Sequence, residues 1–253
     1  MLRTVTATRY VTPLREGGSL PAIVEADDDG LYVLKFRGSG QGPKALIAEL
    51  VAGEVGRALG LPVPEIVFLE LDALLGRSEP DFEIQALIKA SVGLNLGLDF
   101  LPGAVAFSTI DLTQIEGHLA SQIVWFDAYT SNVDRTPRNT NMLFWHRRLI
   151  LIDHGAALYF HHGTDDFLAR SRDPFKHIKD HILLPAANAL EEVDRINKDV
   201  LTSAKLESIV QEIPEDWLDN SDQRRTYLDY LEARLRDSYL FVEEAVHARA
   251  QLV

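Results

Sequence analysis

Cysteine is absent from the 253-residue chain, which excludes disulfides and thiolate chemistry and is consistent with a reducing compartment. Also missing is any run near the roughly 18 apolar residues that a membrane-spanning helix needs. The N-terminal Met1-Leu2-Arg3-Thr4-Val5-Thr6-Ala7-Thr8 lacks the apolar core of a secretory signal. A cytoplasmic protein is therefore the expectation. Positive charge is scarce: 25 Lys and Arg face 38 Asp and Glu, a formal net charge of −13. Nucleic acids and anionic membranes reward clustered Lys and Arg, so neither is expected as the main partner, although a local basic groove is compatible with the total. No internal repeat or low-complexity tract interrupts the sequence. What remains, 46% hydrophobic and 25% charged residues, describes an ordinary globular protein large enough for one domain or two lobes.

Strand signals crowd roughly the first 90 residues, and helical signals dominate afterwards. Residues 9–36 read as a β-hairpin or meander, with a flexible loop over 13–21, a strand over 22–26, a turn at Asp27-Asp28-Asp29-Gly30 and a strand over 31–36. Lys35 is the odd member of that last strand, on the face shared with Val33 and Leu31. It is either an edge lysine snorkelling to water or a lysine presented toward nucleotide phosphates. The glycine-rich link 37–43 does not match the phosphate-loop pattern ending in Gly-Lys-Ser/Thr, and 44–59 then has helical spacing with Gly60 as a stop. Glu49 and Glu54 lie on this helix, each a solvated acid or, if the helix packs on the sheet, a charge-assisted partner for Lys35. Residues 65–71 and 81–88 read as further strands, and 92–108 as a loop over a cleft or across a surface. Leu112, Ile115, Leu119, Ile123 and Phe126 read as one face of a helix. Segments 174–189, 199–213 and 222–249 read as helical scaffold. The asymmetry predicts an α+β protein of two lobes, β-rich over 1–88 and helical over 89–253, with the connector near 87–91.

The most informative stretch is 132–155. It reads as a polar loop, a hairpin of the apolar strands Met142-Leu143-Phe144 and Leu149-Ile150-Leu151-Ile152, and the acidic turn Asp153-His154-Gly155. The two ends of a hairpin lie side by side, which gathers Asp134, Asn139 or Asn141, and Asp153 around one small volume suited to a divalent metal and a phosphate chain. An Asp in a turn often does no more than bond nearby backbone. Asp153, however, ends a strand apolar enough to be buried, where an unpaired carboxylate is costly, so it requires a metal ion or, failing that, a Lys or Arg.

Asp134 followed by Asn139, then an apolar strand and Asp153-His154-Gly155, is similar to the catalytic loop and metal-binding acid of the protein-kinase-like superfamily, including its phosphoinositide-kinase branch. Upstream, Tyr32-Val33-Leu34-Lys35-Phe36, the glycine-rich link, Ala48-Glu49 and Ala58-Leu59-Gly60-Leu61-Pro62-Val63-Pro64-Glu65 resemble HipA-like kinases specifically. The resemblance covers about residues 10–165. It implies a two-lobed protein-kinase-like fold and an ATP- and Mg2+-dependent kinase that transfers the γ-phosphoryl group to a hydroxyl acceptor, a Ser or Thr of a protein being one such class. It implies that Lys35 contacts the phosphates and pairs with Glu49, Glu54 lying a residue too far round the helix. Asp134 would orient or deprotonate the acceptor hydroxyl, and Asp153 would bind magnesium. The second metal ligand would be Asn139, counting from Asp134, or Asn141, by its adjacency to the strand. Gly17, Gly18 and Ser19 would lie over the phosphates, and backbone around Gln85, Ala86 and Leu87 would meet the adenine.

There are departures from the family pattern. His154 stands where protein kinases commonly have Phe, no His-Arg-Asp precedes the loop, and no protein-kinase substrate-docking segment is recognisable after Gly155. The alternative reading is a catalytically inactive nucleotide-binding regulatory or toxin-antitoxin module. A lipid kinase would call for a membrane-facing basic patch, which the sequence does not display. His161-His162 and the i, i+4 pair His177 and His181 form a weaker metal candidate, and Trp125 and Tyr129 read as core.

Overall fold

The computed structural model describes residues 2–14, 20–40, 42–163 and 166–252; the expected phosphate-covering residues Gly17, Gly18 and Ser19 lie outside them. Five strands, β1 (Thr4–Pro13), β2 (Ala22–Ala26), β3 (Leu31–Lys35), β4 (Ile66–Leu71) and β5 (Gly93–Asp99), close a barrel in the order β1-β2-β3-β5-β4. A parallel pairing of β1 with β4 completes the ring. Alternation along the strands puts Val24, Tyr32, Leu34, Val67 and Leu69 into one apolar cluster. On β5, a Cβ at Gly97 would come within 2.9 Å of a Val67 methyl and 3.2 Å of a Leu69 methyl, so glycine is what the barrel interior accommodates there. Helix α1 (Gly42–Ala58) follows β3 and is buried on nearly every side from Leu46 to Gly56.

Three expectations need correction here. Residues 81–88 are not a strand: they belong to helix α2 (Phe82–Ala90), capped by Asp81, whose side chain accepts the Glu83 N–H at 2.9 Å. The buried residues of α2, Ile84 and Ile88, are spaced for a helix face and join the barrel core. Gln85, Ala86 and Leu87 therefore lie on a helix and not in a connector, and the Gln85 N–H already bonds the Asp81 carbonyl at 2.9 Å. Second, 92–108 is not all loop, because β5 pairs with both β3 and β4. The chain leaves the barrel after Asp99 and not after residue 88.

Beyond the crossing come β6 (Val105–Ala106), a 3-10 turn (Thr109–Gln114), α3 (Gly117–Thr130) and the expected hairpin, β7 (Met142–Trp145) and β8 (Arg148–Leu151), with β6 added as a third strand. Leu112 and Ile115 thus precede α3, whereas Ile123 and Phe126 are among its fully buried residues. The remaining helices are α4 (Phe167–Arg170), α5 (Leu190–Val200), α6 (Ser203–Gln211), α7 (Gln223–Arg236) and α8 (Tyr239–Ala250). Third, segment 174–189 is not a helix but two 3-10 turns, Lys176–Asp180 and Leu184–Ala186, entered through Phe175 with a φ of 58°. The long terminal helix is interrupted at Asp237 and the buried Ser238. A second apolar cluster joins Ile66 and Phe68 of β4 and Leu96 of β5 to Ile47 and Leu50 of α1, and these to Phe126 of α3, Leu231 of α7 and Phe241 of α8, so α1 packs on the barrel and on the helical lobe at once. Among the described residues no helix is long and apolar enough to cross a membrane.

Candidate active site

Lys35 ends β3 and faces α1. Its Nζ donates to Asp153 Oδ1 at 2.6 Å and lies 3.4 Å from Glu49 Oε2. The side chain is 12% exposed, so the reading of a lysine reaching for water does not hold. Glu49 is 1% exposed, because the middle of α1 is sealed between the lobes. Its Oε1 accepts the His154 backbone N–H at 3.0 Å and sits 3.3 Å from His154 Nδ1. Burial alone would raise the Glu49 carboxyl, yet the Lys35 charge and the His154 hydrogen bonds hold it down at about 2. Burial alone would lower the Lys35 ammonium, but the charges of Glu49 and Asp153 outweigh it and raise it above the usual lysine range. The pair therefore stays ionised. Glu54, the other acid of the helix, is engaged by Arg57 at 3.1 Å and does not meet Lys35.

Asp134 lies in the loop that leaves α3. Its Oδ2 accepts from Asn139 Nδ2 at 2.7 Å and from Asn141 Nδ2 at 3.4 Å, and its backbone N–H donates to Asn132 Oδ1 at 3.2 Å. Both asparagines thus gather on one carboxylate oxygen. Asn139 is exposed, whereas Asn141 is buried with a φ of 47°, and its carbonyl accepts the Ile152 N–H at 3.0 Å, one residue before Asp153. Asp153 has a φ of 56° and Ser131, at the end of α3, a φ of 54°. Non-glycine residues in this region cost on the order of 1–3 kcal/mol each and persist where their surroundings fix them, which is typical of functional sites. Lys35, Glu49, Asp134 and Asp153 line one cavity of about 200 Å³, together with Ser39, Gly40 and Gly155.

His154 belongs to this cluster, although the sequence shows it only as a departure from Phe. It is fully buried, edge-on to Phe126 with ring centroids 5.6 Å apart, and ties the acidic turn to Glu49. Of the histidines read as a weaker metal candidate, three have protein partners and His177 is exposed: His161 Nδ1 is 3.0 Å from the Tyr227 hydroxyl and its Nε2 is 3.2 Å from His162 Nε2, while His181 Nε2 is 2.9 Å from Asp127 Oδ2. Among the described residues no group of three or more His, Cys, Asp or Glu is arranged to hold a metal. Trp125 and Tyr129 are fully buried and stack on each other with centroids 5.0 Å apart.

A barrel lobe that presents a lysine to a buried helix acid, facing a helical lobe that supplies two loop acids, is the architecture of the protein-kinase-like superfamily. More narrowly, the chain belongs to the HipA-like kinase family, whose model matches residues 8–241. No curated protein matches the chain. Among solved structures it is similar to the Helicobacter pylori proinflammatory kinase CtkA, with a TM-score of 0.56 at 13% identity over 99% of each chain. It is also similar to the Golgi casein kinase with Mn/ADP bound, with a TM-score of 0.56 at 13% identity over 96% of this chain and 74% of the other. At such identities the likeness speaks for the fold.

Proposed function

We propose that this chain is an active kinase that uses ATP and Mg2+ to phosphorylate a hydroxyl acceptor. The observation that carries the reading is Lys35, held between Glu49 and Asp153, with Asp134 on the same cavity. In phosphoryl transfer the acceptor oxygen bonds to the γ-phosphorus as the bond to the β,γ-bridging oxygen breaks, leaving ADP, and the protein contributes positioning and charge neutralisation. Lys35 meets the phosphates, Glu49 holds its ammonium in place, and Asp134 orients the acceptor and takes its proton. Asp153, with the amide oxygen of Asn139 or Asn141, holds the metal. This donor set fits Mg2+, which takes oxygen ligands and is usually held by one or two carboxylates plus phosphate oxygens. When bound, the ion supplies charge neutralisation at the phosphates. The adenine contacts assigned by resemblance to Gln85–Leu87 fall instead to the crossing segment after Asp99, since that is where the barrel lobe gives way to the helical one. The Golgi casein kinase neighbour, with Mn/ADP bound, is in keeping with nucleotide and divalent-metal use. A serine or threonine of a protein is one acceptor class for this chemistry.

The test is transfer from labelled ATP, with Mg2+, to the chain itself, to a protein extract and to lipid. Transfer is expected, and Asp134→Asn and Asp153→Asn are expected to abolish it while melting like the parent. Wild-type turnover in Asp153→Asn would remove the metal role. Nucleotide binding without transfer to any acceptor would favour the inactive regulatory module.

A further inference from the structure

Behind the cavity, Asp127 of α3 is a fully buried carboxylate that does not line it. Three side chains from two segments converge on it. Its Oδ1 accepts from Asn132 Nδ2 at 2.8 Å; its Oδ2 accepts from Arg135 Nε at 2.5 Å and from His181 Nε2 at 2.9 Å. Arg135, also buried, turns its Nη1 to the carbonyl of Asn141, which in turn takes the Ile152 N–H, while the Arg135 carbonyl accepts the Ile182 N–H at 3.2 Å. One guanidinium therefore joins the root of the loop bearing Asp134 to its far end beside Asp153.

The protons can be assigned throughout. The Leu183 N–H donates to His181 Nδ1 at 3.0 Å, so the ring proton sits on Nε2 and is donated to Asp127. Burial lowers the His181 imidazole below its usual range, in keeping with a neutral ring, and the Arg135 charge keeps the Asp127 carboxyl ionised against burial. The network is one negative and one positive charge with a neutral histidine. Buried ion pairs are weak sources of stability, because apolar residues of the same volume often do as well. What a planar, forked guanidinium adds is fixed geometry at two acceptors at once.

We propose that Arg135, clamped by Asp127 and His181, is a positioning residue for the proposed phosphoryl transfer: it sets Asn141, and through it the spacing of Asp134 and Asp153. The inference rests on the kinase reading of the cavity. Neither Arg135 nor His181 lines that cavity, so the effect acts through the loop.

The variants are Arg135→Lys, which keeps the charge but loses the fork, and the pair His181→Leu and His181→Gln, of which only the second retains an amide donor for Asp127. Arg135→Lys and His181→Leu are expected to lower kcat about 10- to 100-fold, with KM for ATP within about twofold, as misplaced catalytic groups do. His181→Gln is expected to recover most of the loss. Amide hydrogen exchange reads the same idea without turnover: in Arg135→Lys the amides of Thr136, Asn139 and Ile152 should lose protection while those of α3 and β5 keep it. Wild-type kcat in both Arg135→Lys and His181→Leu would overturn the proposal, as would a uniform loss of protection across α3 and β5. If the parent transfers phosphate to no acceptor, the kinase reading fails, and selective loss at the three loop amides still supports the clamp.

Discussion

Glu49 is the residue on which the charge balance of the site turns. Its carboxylate is sealed from water and balanced by Lys35 alone among full charges, with His154 adding hydrogen bonds. Removing one partner of a buried pair leaves an uncompensated charge, so Lys35→Met is expected to destabilise the fold by roughly 3 kcal/mol. Lys35→Met combined with Glu49→Gln removes both charges and should regain most of that loss while remaining inactive. Urea midpoints of the two variants check this; equal destabilisation would mean that Glu49 does not depend on Lys35. Lys35, Asp134 and Asp153 were legible in the sequence because each breaks a local pattern: a charge in an apolar strand, an acid in a loop before a hairpin, an acid closing an apolar run. His154 was not, since its role depends on Glu49, 105 residues upstream, and a contact of that range leaves no local trace.

At the scale of elements, the misreadings of 81–88 and 92–108 share a cause: alternation carries strand information only when glycines and caps are weighed with it. Phe82, Ile84, Ala86 and Ile88 alternate like a strand, but the Asp81 cap starts a helix and Phe82 ends up exposed. In β5 the alternation of Leu94, Leu96 and Leu98 is masked by Gly93 and Gly97, of which the second is required by the packed barrel interior. The expected helix at 174–189 gives way to a crossing held at His181 and by Arg234 of α7. Arg234 is fully buried and, among the described residues, bonds only carbonyls, those of Ala128 and Tyr129 at the end of α3 and those of Ser171 and Asp173, with Phe241 below its guanidinium at 4.9 Å. A cation at a helix C-terminus satisfies carbonyls that have no partner within the helix. Arg234→Met keeps the volume but orphans the carbonyls of Tyr129, Ser171 and Asp173, that of Ala128 keeping the Ser131 N–H at 3.3 Å, and a loss of about 3 kcal/mol is expected. The check is a urea titration. A loss below about 1 kcal/mol would mean that water or other groups satisfy the same carbonyls.

For the whole molecule, α1 welds the barrel to the helical lobe, so the parts are expected to unfold together and a group that titrates in one lobe should report on the global transition. His161 is such a group. It is buried against Tyr227, with His162 and the Lys44 ammonium as charged neighbours; burial first, then those two charges, lower its imidazole to about 3. The unfolded chain binds a proton at this residue near pH 6.5, whereas the folded chain does not until about 3. Between those values the unfolded state holds more protons, so stability must fall as the pH falls, by up to about 2 kcal/mol between pH 6.5 and 5 for this residue. His181, lowered chiefly by burial, acts in the same direction. The carboxyl of Glu49 adds its own loss only further down, from its ordinary value of 4.5 toward about 2. Glu54 and Asp99, both raised chiefly by burial, act in the opposite direction above their ordinary values, so the share of His161 is read from the difference between the parent and a variant that lacks its imidazole. Urea midpoints across that interval should decline in the parent and decline less in His161→Gln, whose amide can still meet the Tyr227 hydroxyl. Equal declines in the parent and in His161→Gln would mean that His161 takes up its proton in the folded protein as readily as in the unfolded chain, and that the Tyr227 pocket admits water.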